Sequence, residues 1–222
     1  MSSDSTIRAR RPSRFLLGAL SAVALLAAGV ASVSALAIST DSRSVPAAPQ
    51  FAGPTFPPHL RAAQFALTDQ NGRRITLTDY RGRVMVLSFM YSGCRDTCPL
   101  MATEIRGALD ELPDAGRAVP VLAISVDPAH DTPGSARIFL AREHLTGRMQ
   151  FLLGTRRELQ PVWKRYAVQS EFDQSGRRYR YGHSAYVMLI DRRGFLRVGF
   201  PAGALVPEDL AHDLKLLLAQ RS

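Results

Sequence analysis

The chain has 222 residues, of which 46% are apolar and 21% charged, a globular composition with room for one ordinary domain or two small ones. Two cysteines exclude a disulfide-stapled scaffold, and also an all-cysteine zinc or iron–sulfur site built from this chain alone. The net charge of +9 does not point to nucleic acid: residues 1–40 hold four Arg and one Asp, and the remaining excess is spread thinly, with no basic run interleaved with aromatics.

Arg8, Arg10, Arg11 and Arg14 precede an uncharged stretch from Phe15 to Thr40. A helix of about 20 apolar residues crosses a bilayer, and the basic flank keeps the N-terminal side in the cytoplasm. The expectation is a basic tail over 1–14, a single membrane anchor over 15–38 and the rest of the chain on the far side. A cleaved signal peptide is the alternative, since Ala35-Leu36-Ala37 is a small-x-small site. The apolar run is longer than the 7–15 residues usual in a signal peptide, which favours the anchor. Residues 39–60 carry five prolines and read as a linker, with the folded domain over 61–222.

Phe65 to Leu77 reads as a hairpin around Asn71-Gly72, a pair suited to the positive φ angles of a tight turn. Val84 to Phe89 and Val119 to Val126 are continuous apolar runs, which suit strands buried on both faces. Pro99 to Leu112 has helical spacing, as does Pro133 to His144 with Ile138, Phe139 and Leu145 inward. Thr155-Arg-Arg-Glu158 is a capping box opening a helix that carries Leu159, Val162, Trp163 and Tyr166. Ala185 to Ile190 and Phe195 to Phe200 flank the turn Asp191-Arg-Arg-Gly194, and Pro207 starts a last helix with Leu210, Leu214 and Leu217 on one face. Buried strands alternating with helices, with a late hairpin, predict a thioredoxin-like α/β fold: a central mixed sheet, helices on both faces and an N-terminal hairpin extension.

Cys94-Arg-Asp-Thr-Cys98-Pro99 follows directly on a buried strand, where α/β sheets gather their chemistry. Cys98 is expected at the helix entrance, where the positive end of the helix favours its thiolate. A structural disulfide is the plain alternative, but so small a ring restricts the unfolded chain little. Three intervening residues fit either dithiol redox chemistry or a metal, and spacing alone does not choose. Of five histidines, His59 falls in the linker, His144 and His212 on exposed helix faces, and His130 in a turn beside carboxylates. His183, in Tyr181-Gly182-His183-Ser184 just before a late strand, is the histidine whose place favours a functional role. Met90 and Met101 lie near the cysteines in sequence but fit a strand end and an apolar helix face.

Four segments together resemble the Sco/SenC family: Phe65-Ala-Leu-Thr-Asp-Gln-Asn-Gly72, Tyr91-Ser-Gly-Cys94-Arg-Asp-Thr-Cys98-Pro99, Ser125-Val-Asp127-Pro-Ala-His-Asp131-Thr-Pro133 and His183-Ser184. The resemblance runs in order from about Arg61 to Leu218. It implies a membrane-anchored, copper-binding protein of thioredoxin-like fold, with the domain facing the periplasm. Cys94, Cys98 and His183 match the family's copper ligands. Implied partners are cytochrome c oxidase subunit II, or a similar protein receiving Cu(I) or Cu(II), and an upstream copper donor. A thiol–disulfide oxidoreductase acting on the acceptor's cysteines is the alternative, and a redox sensor is a third. Two thiolates and an imidazole are a soft set suited to Cu(I). Where thioredoxins carry a cis-proline opposite their cysteines, no proline occurs between Pro161 and Pro201, and His183 takes the comparable place. Departures from the family pattern are Gly182 in place of a common acid before the histidine, His130 where Arg is common, and Gly93 before Cys94.

Overall fold

A seven-stranded mixed sheet organises the domain, with strand order β2-β1-β5-β4-β3-β6-β7. The computed structural model describes residues 50–112, 114, 118–168 and 185–220. Its strands are β1 (Ala66–Asp69), β2 (Arg74–Thr76), β3 (Met85–Met90), β4 (Val121–Ser125), β5 (Gln150–Leu153), β6 (Tyr186–Ile190) and β7 (Leu196–Pro201). The helices positioned between or after them are α1 (Thr97–Asp110), α2 (Pro133–Arg142), α3 (Arg156–Arg165) and α4 (Pro207–Ala219). Strands β3, β4 and β5 are parallel, joined through α1 and α2, and all other pairings are antiparallel.

The apolar runs of β3 and β4 have no polar alternation because both faces of the sheet are covered. Val86 and Met90 point into one core with Met101 and Ile105 of α1, Phe139 of α2, and Leu210 and Leu214 of α4. Met85, Leu87 and Phe89 point into the other, against Leu159, Val162 and Trp163 of α3. Successive strand residues face opposite sides, so every residue of these strands is buried. The α3 start has the capping box of Thr155 and Glu158. The expected thioredoxin-like arrangement is therefore present in the described residues.

Four expectations need correction. The β1–β2 turn is a four-residue loop in which only Gly72 has positive φ, 82°. Asn71 needs none, because Asp69 Oδ1 accepts the N–H of Asn71 at 2.8 Å and of Arg73 at 2.9 Å and shapes the loop. Ile138 is not inward but 69% exposed, whereas Ala136, Phe139 and Leu140 are buried. Adjacent helical residues differ by about 100° around the axis, so Ile138 lies about 200° from both Ala136 and Leu140, opposite the buried face. Strand β5, inside the sheet between β4 and β1, was not anticipated.

Residues 50–60 are also not a linker. They run antiparallel along β7, with bridges Thr55 to Val198 and Arg61 to Phe195. The Phe56 N–H donates to Arg197 O at 3.0 Å, and Gly199 N–H donates to Pro54 O at 2.9 Å. Asp213 of α4, fully buried, accepts from Ala52 N at 2.7 Å and Gly53 N at 3.0 Å. A Cβ at Gly199 would come within 2.7 Å of the Phe56 ring, so glycine lets this strap lie close. Prolines suit it, since one edge of such a strap needs no donors. Among the described residues no helix is long and apolar enough to cross a membrane; the expected anchor over 15–38 lies outside them.

Candidate metal centre

The cysteine loop leaves the carboxyl end of β3. Residues 91–96 turn sharply there, with Cys94 N–H donating to Tyr91 O at 3.2 Å, and Asp96 then caps α1 by accepting from Thr97 N. Cys98 lies in the first helical turn. Its backbone N–H donates to Cys94 Sγ at 3.2 Å, so the unsatisfied amides of the helix N-terminus serve the sulfur of Cys94. Both cysteines are free thiols and both are buried, in a core with Met90 and Met101.

The pair is electrostatically unequal, which overturns the expectation that Cys98 is the thiolate. The Cys98 thiol donates to Cys94, and the backbone N–H groups of Asp96 and Cys98 and the Tyr91 hydroxyl add to it. Together they outweigh burial and lower Cys94 from 9.0 to about 6. Cys98 is pushed up, first because its proton is held by Cys94, then by burial. Tyr91 is pushed up as well, by burial and by its bond to Cys94. The helix end acts on the sulfur its N–H groups face, and that sulfur belongs to Cys94.

A second group of residues fixes the loop and was not read as functional in the sequence. Asp131 Oδ1 accepts Ser92 N at 2.8 Å and Ser92 Oγ at 2.6 Å, while its Oδ2 accepts Ser125 Oγ at 2.5 Å. The carboxylate thus ties the cysteine loop to the end of β4, and Trp163 Nε1 holds the Ser125 carbonyl from the other face at 2.9 Å. Burial raises the Asp131 pKa despite these three donors. The signal was present as Asp131-Thr-Pro133, an acid just before a capped helix start, but its distant partners were not.

His183 falls within residues 169–184, outside the described ones, as do Gly182 and Ser184. Nearby, Ser88 of β3 pairs with Val187 of β6, and Ala185 packs against the core that contains both cysteines. The chain two residues beyond His183 therefore enters the sheet at the end of β3 from which the cysteine loop leaves. Among the described residues no group of three or more His, Cys, Asp or Glu could hold a metal ion. His130 Nδ1 lies 3.0 Å from both carboxylate oxygens of Asp127. His212 Nε2 meets Gln50 O at 3.1 Å, His59 packs edge-on to Phe195, and His144 is exposed beyond α2. Met90 and Met101 are fully buried packing residues.

A thioredoxin-like sheet with a reduced Cys-x-x-x-Cys pair at the carboxyl end of a buried strand defines a dithiol protein, competent for soft-metal or disulfide chemistry. The SCO1/SenC family model matches residues 55–219, and the chain belongs to that family. Protein SCO2, mitochondrial, of Saccharomyces cerevisiae is 32% identical over 136 residues, covering 59% of this chain and 44% of its own length. The chain thus spans less than half of that relative. Among solved structures, Bradyrhizobium japonicum ScoI with copper bound is 30% identical with a TM-score of 0.62, covering 71% of this chain and 99% of that one. BsSco, in which a disulfide switch has been identified and which belongs to the Sco family of cytochrome c oxidase assembly proteins, has a TM-score of 0.64. At 20% identity, with 74% of this chain and 97% of that one covered, it supports the fold.

Proposed function

We propose that this protein is a membrane-anchored copper carrier of cytochrome c oxidase assembly, binding one copper through Cys94, Cys98 and His183. Its domain would face the periplasm, and its acceptor would be oxidase subunit II or a similar copper-receiving protein. The observation that carries the reading is the cysteine pair itself: two reduced sulfurs in one loop, one already favouring the thiolate, at the strand end beside which Ala185, two residues after His183, packs. Two soft sulfur donors suit Cu(I), and a set of only three ligands lets a recipient's ligand enter before the donor releases. The copper-bound ScoI relative and the family's link to oxidase assembly support the cargo and the pathway.

The test is copper titration of the reduced full chain in non-ionic detergent, beside Cys94→Ser, Cys98→Ser and His183→Ala. One copper per chain is expected, lost in either serine variant and at least tenfold weaker in His183→Ala. Unchanged affinity in His183→Ala overturns the ligand set. The mass of the mature protein and protease access in spheroplasts test the anchor and its orientation.

The unequal thiols favour a second reading, reduction of an acceptor disulfide. The Cys94 thiolate would attack one acceptor sulfur, forming a mixed disulfide and releasing an acceptor thiolate. Cys98, giving up its proton, would then attack Cys94 Sγ, closing the Cys94–Cys98 disulfide and releasing the second acceptor thiol. Two electrons pass to the acceptor. Oxidase assembly that survives His183→Ala but not Cys94→Ser selects this reading.

A further inference from the structure

At the pole opposite the cysteine loop, an open cleft of about 1320 Å³ lies against the first residues of β4 and β5, Val121 and Gln150. Its other walls are the β1–β2 turn, the end of α1 and one side of α2. The cysteine loop follows Met90, which pairs with Ser125 at the far ends of β3 and β4, so the cleft is separate from the candidate metal centre.

Four arginines line it, Arg73, Arg83, Arg137 and Arg148, against two carboxylates, Asp69 and Asp110. Two of the four are balanced: Arg148 Nη1 pairs with Asp110 Oδ1 at 2.6 Å, and Arg73 Nε lies 3.5 Å from Asp69 Oδ2. The other two are held by neutral groups. Arg137 Nη1 donates to the Gln70 carbonyl at 2.7 Å, and Arg83 donates through Nη2 to the Ala118 carbonyl. A carbonyl fixes the position of a guanidinium without cancelling its charge. Each fork is anchored through one nitrogen, and a guanidinium has five N–H donors. Two oriented positive charges therefore remain, with part of the ordering cost already met by the protein.

Asp69 is 1% exposed; its Oδ1 accepts two hydrogen bonds, and its buried Oδ2, which accepts none among the described residues, faces Arg73, so neither oxygen is open to a ligand. A ligand with anionic oxygens would satisfy the two remaining arginine forks. Guanidinium forks match phosphate oxygens two at a time. The cleft exceeds the roughly 300–1,000 Å³ typical of small-molecule sites, so the anion should carry an organic body.

We propose that this cleft is a binding site for a phosphate-bearing organic anion, gripped by Arg83 and Arg137. The shared chemistry is a phosphate group on an organic body, from either a soluble phosphate monoester or a phospholipid headgroup.

The test is isothermal titration calorimetry of the full chain in non-ionic detergent and phosphate-free buffer. Glycerol 3-phosphate probes the soluble monoester, and glycerophosphoglycerol probes the lipid headgroup without its acyl chains. Saturable 1:1 binding of at least one is expected, and the tighter probe identifies the source. Arg137→Gln and, independently, Arg83→Gln should each weaken it at least tenfold. Arg157→Gln, an exposed charge on α3 away from the cleft, should change it less than twofold. Circular dichroism melts confirm that each variant is folded, and the two separate cleft variants guard against loss of either one. No binding of either probe at millimolar concentration overturns the proposal. So does equal weakening by Arg157→Gln, which would make the effect one of general charge.

Discussion

The inequality of the two thiols makes a quantitative prediction for the reduced, metal-free protein. Cys94 falls from 9.0 to about 6 in the folded chain. Its surroundings therefore favour the thiolate over the thiol. At pH 7 the thiolate fraction rises roughly ninetyfold over an ordinary thiol, but intrinsic nucleophilicity falls about twentyfold at a Brønsted slope near 0.45, leaving a gain of only about fourfold. Near pH 5.5 the same arithmetic leaves about thirtyfold. Absolute rate is thus a poor readout, the more so because Cys94 is buried, and the midpoint is the useful one. Iodoacetamide alkylation, followed by mass spectrometry at each cysteine, should show Cys94 titrating near pH 6 while Cys98 stays unreactive to beyond pH 9. Cys98→Ala removes the largest lowering contribution and should move the Cys94 midpoint toward the ordinary thiol range. Stability follows the same shifts. Between pH 6 and 9 the folded chain has released a proton that the unfolded chain still holds, so stability rises with pH and the gain is lost as pH falls through 6. Above 9 the raised Cys98 keeps a proton that the unfolded chain gives up, and stability falls again. Two cysteines titrating together near pH 9, or a Cys94 midpoint unmoved by Cys98→Ala, would refute the reasoning.

Asp131→Ala leaves Ser92 N and Ser125 Oγ without their acceptor, while Ser92 Oγ keeps Ser135 Oγ at 2.9 Å, and should cost about 2–3 kcal/mol in urea unfolding, with faster hydrogen exchange across residues 91–96. Asp213→Ala strands the amides of Ala52 and Gly53; about 2 kcal/mol and earlier proteolytic cutting of the strap are expected, with copper stoichiometry unchanged. Phe139→Ala should cost about 3–5 kcal/mol by opening a cavity beside Phe151. Ile138→Ala should stay within about 0.5 kcal/mol, and the contrast checks the rotational phase of α2.

Which features were legible in sequence follows from how much each depends on its own residues. Strands β3 and β4 were plain because burial on both faces leaves no polar alternation and a single serine in each over five or six residues. Strand β5 has only four residues, too few to separate its apolar run from the helices on either side. The phase of α2 turned on one residue, since Ile138 and Phe139 are equally apolar and only the neighbouring sheet decides between them. The strap misled because prolines mark linkers and edge-hugging segments alike; its docking depends on Asp213, some 160 residues away. For the candidate site, the spacing of Cys94 and Cys98 and their place beyond a strand were readable. Which sulfur the helix amides face was not, because it depends on the direction of one N–H in a closed turn.

That direction connects the two functional readings. With Cys94 deprotonated near neutral pH and Cys98 holding its proton, the resting pair is a nucleophile beside a resolving thiol, the state that disulfide exchange requires. A copper ion bound by both sulfurs requires the further loss of the Cys98 proton, which the ion drives by supplying positive charge where Cys94 previously took a hydrogen bond. On the proposed function, metal entry would remove the proton that makes the thiols unequal and metal release would restore it, so copper carriage and thiol reduction would draw on two protonation states of one cysteine pair.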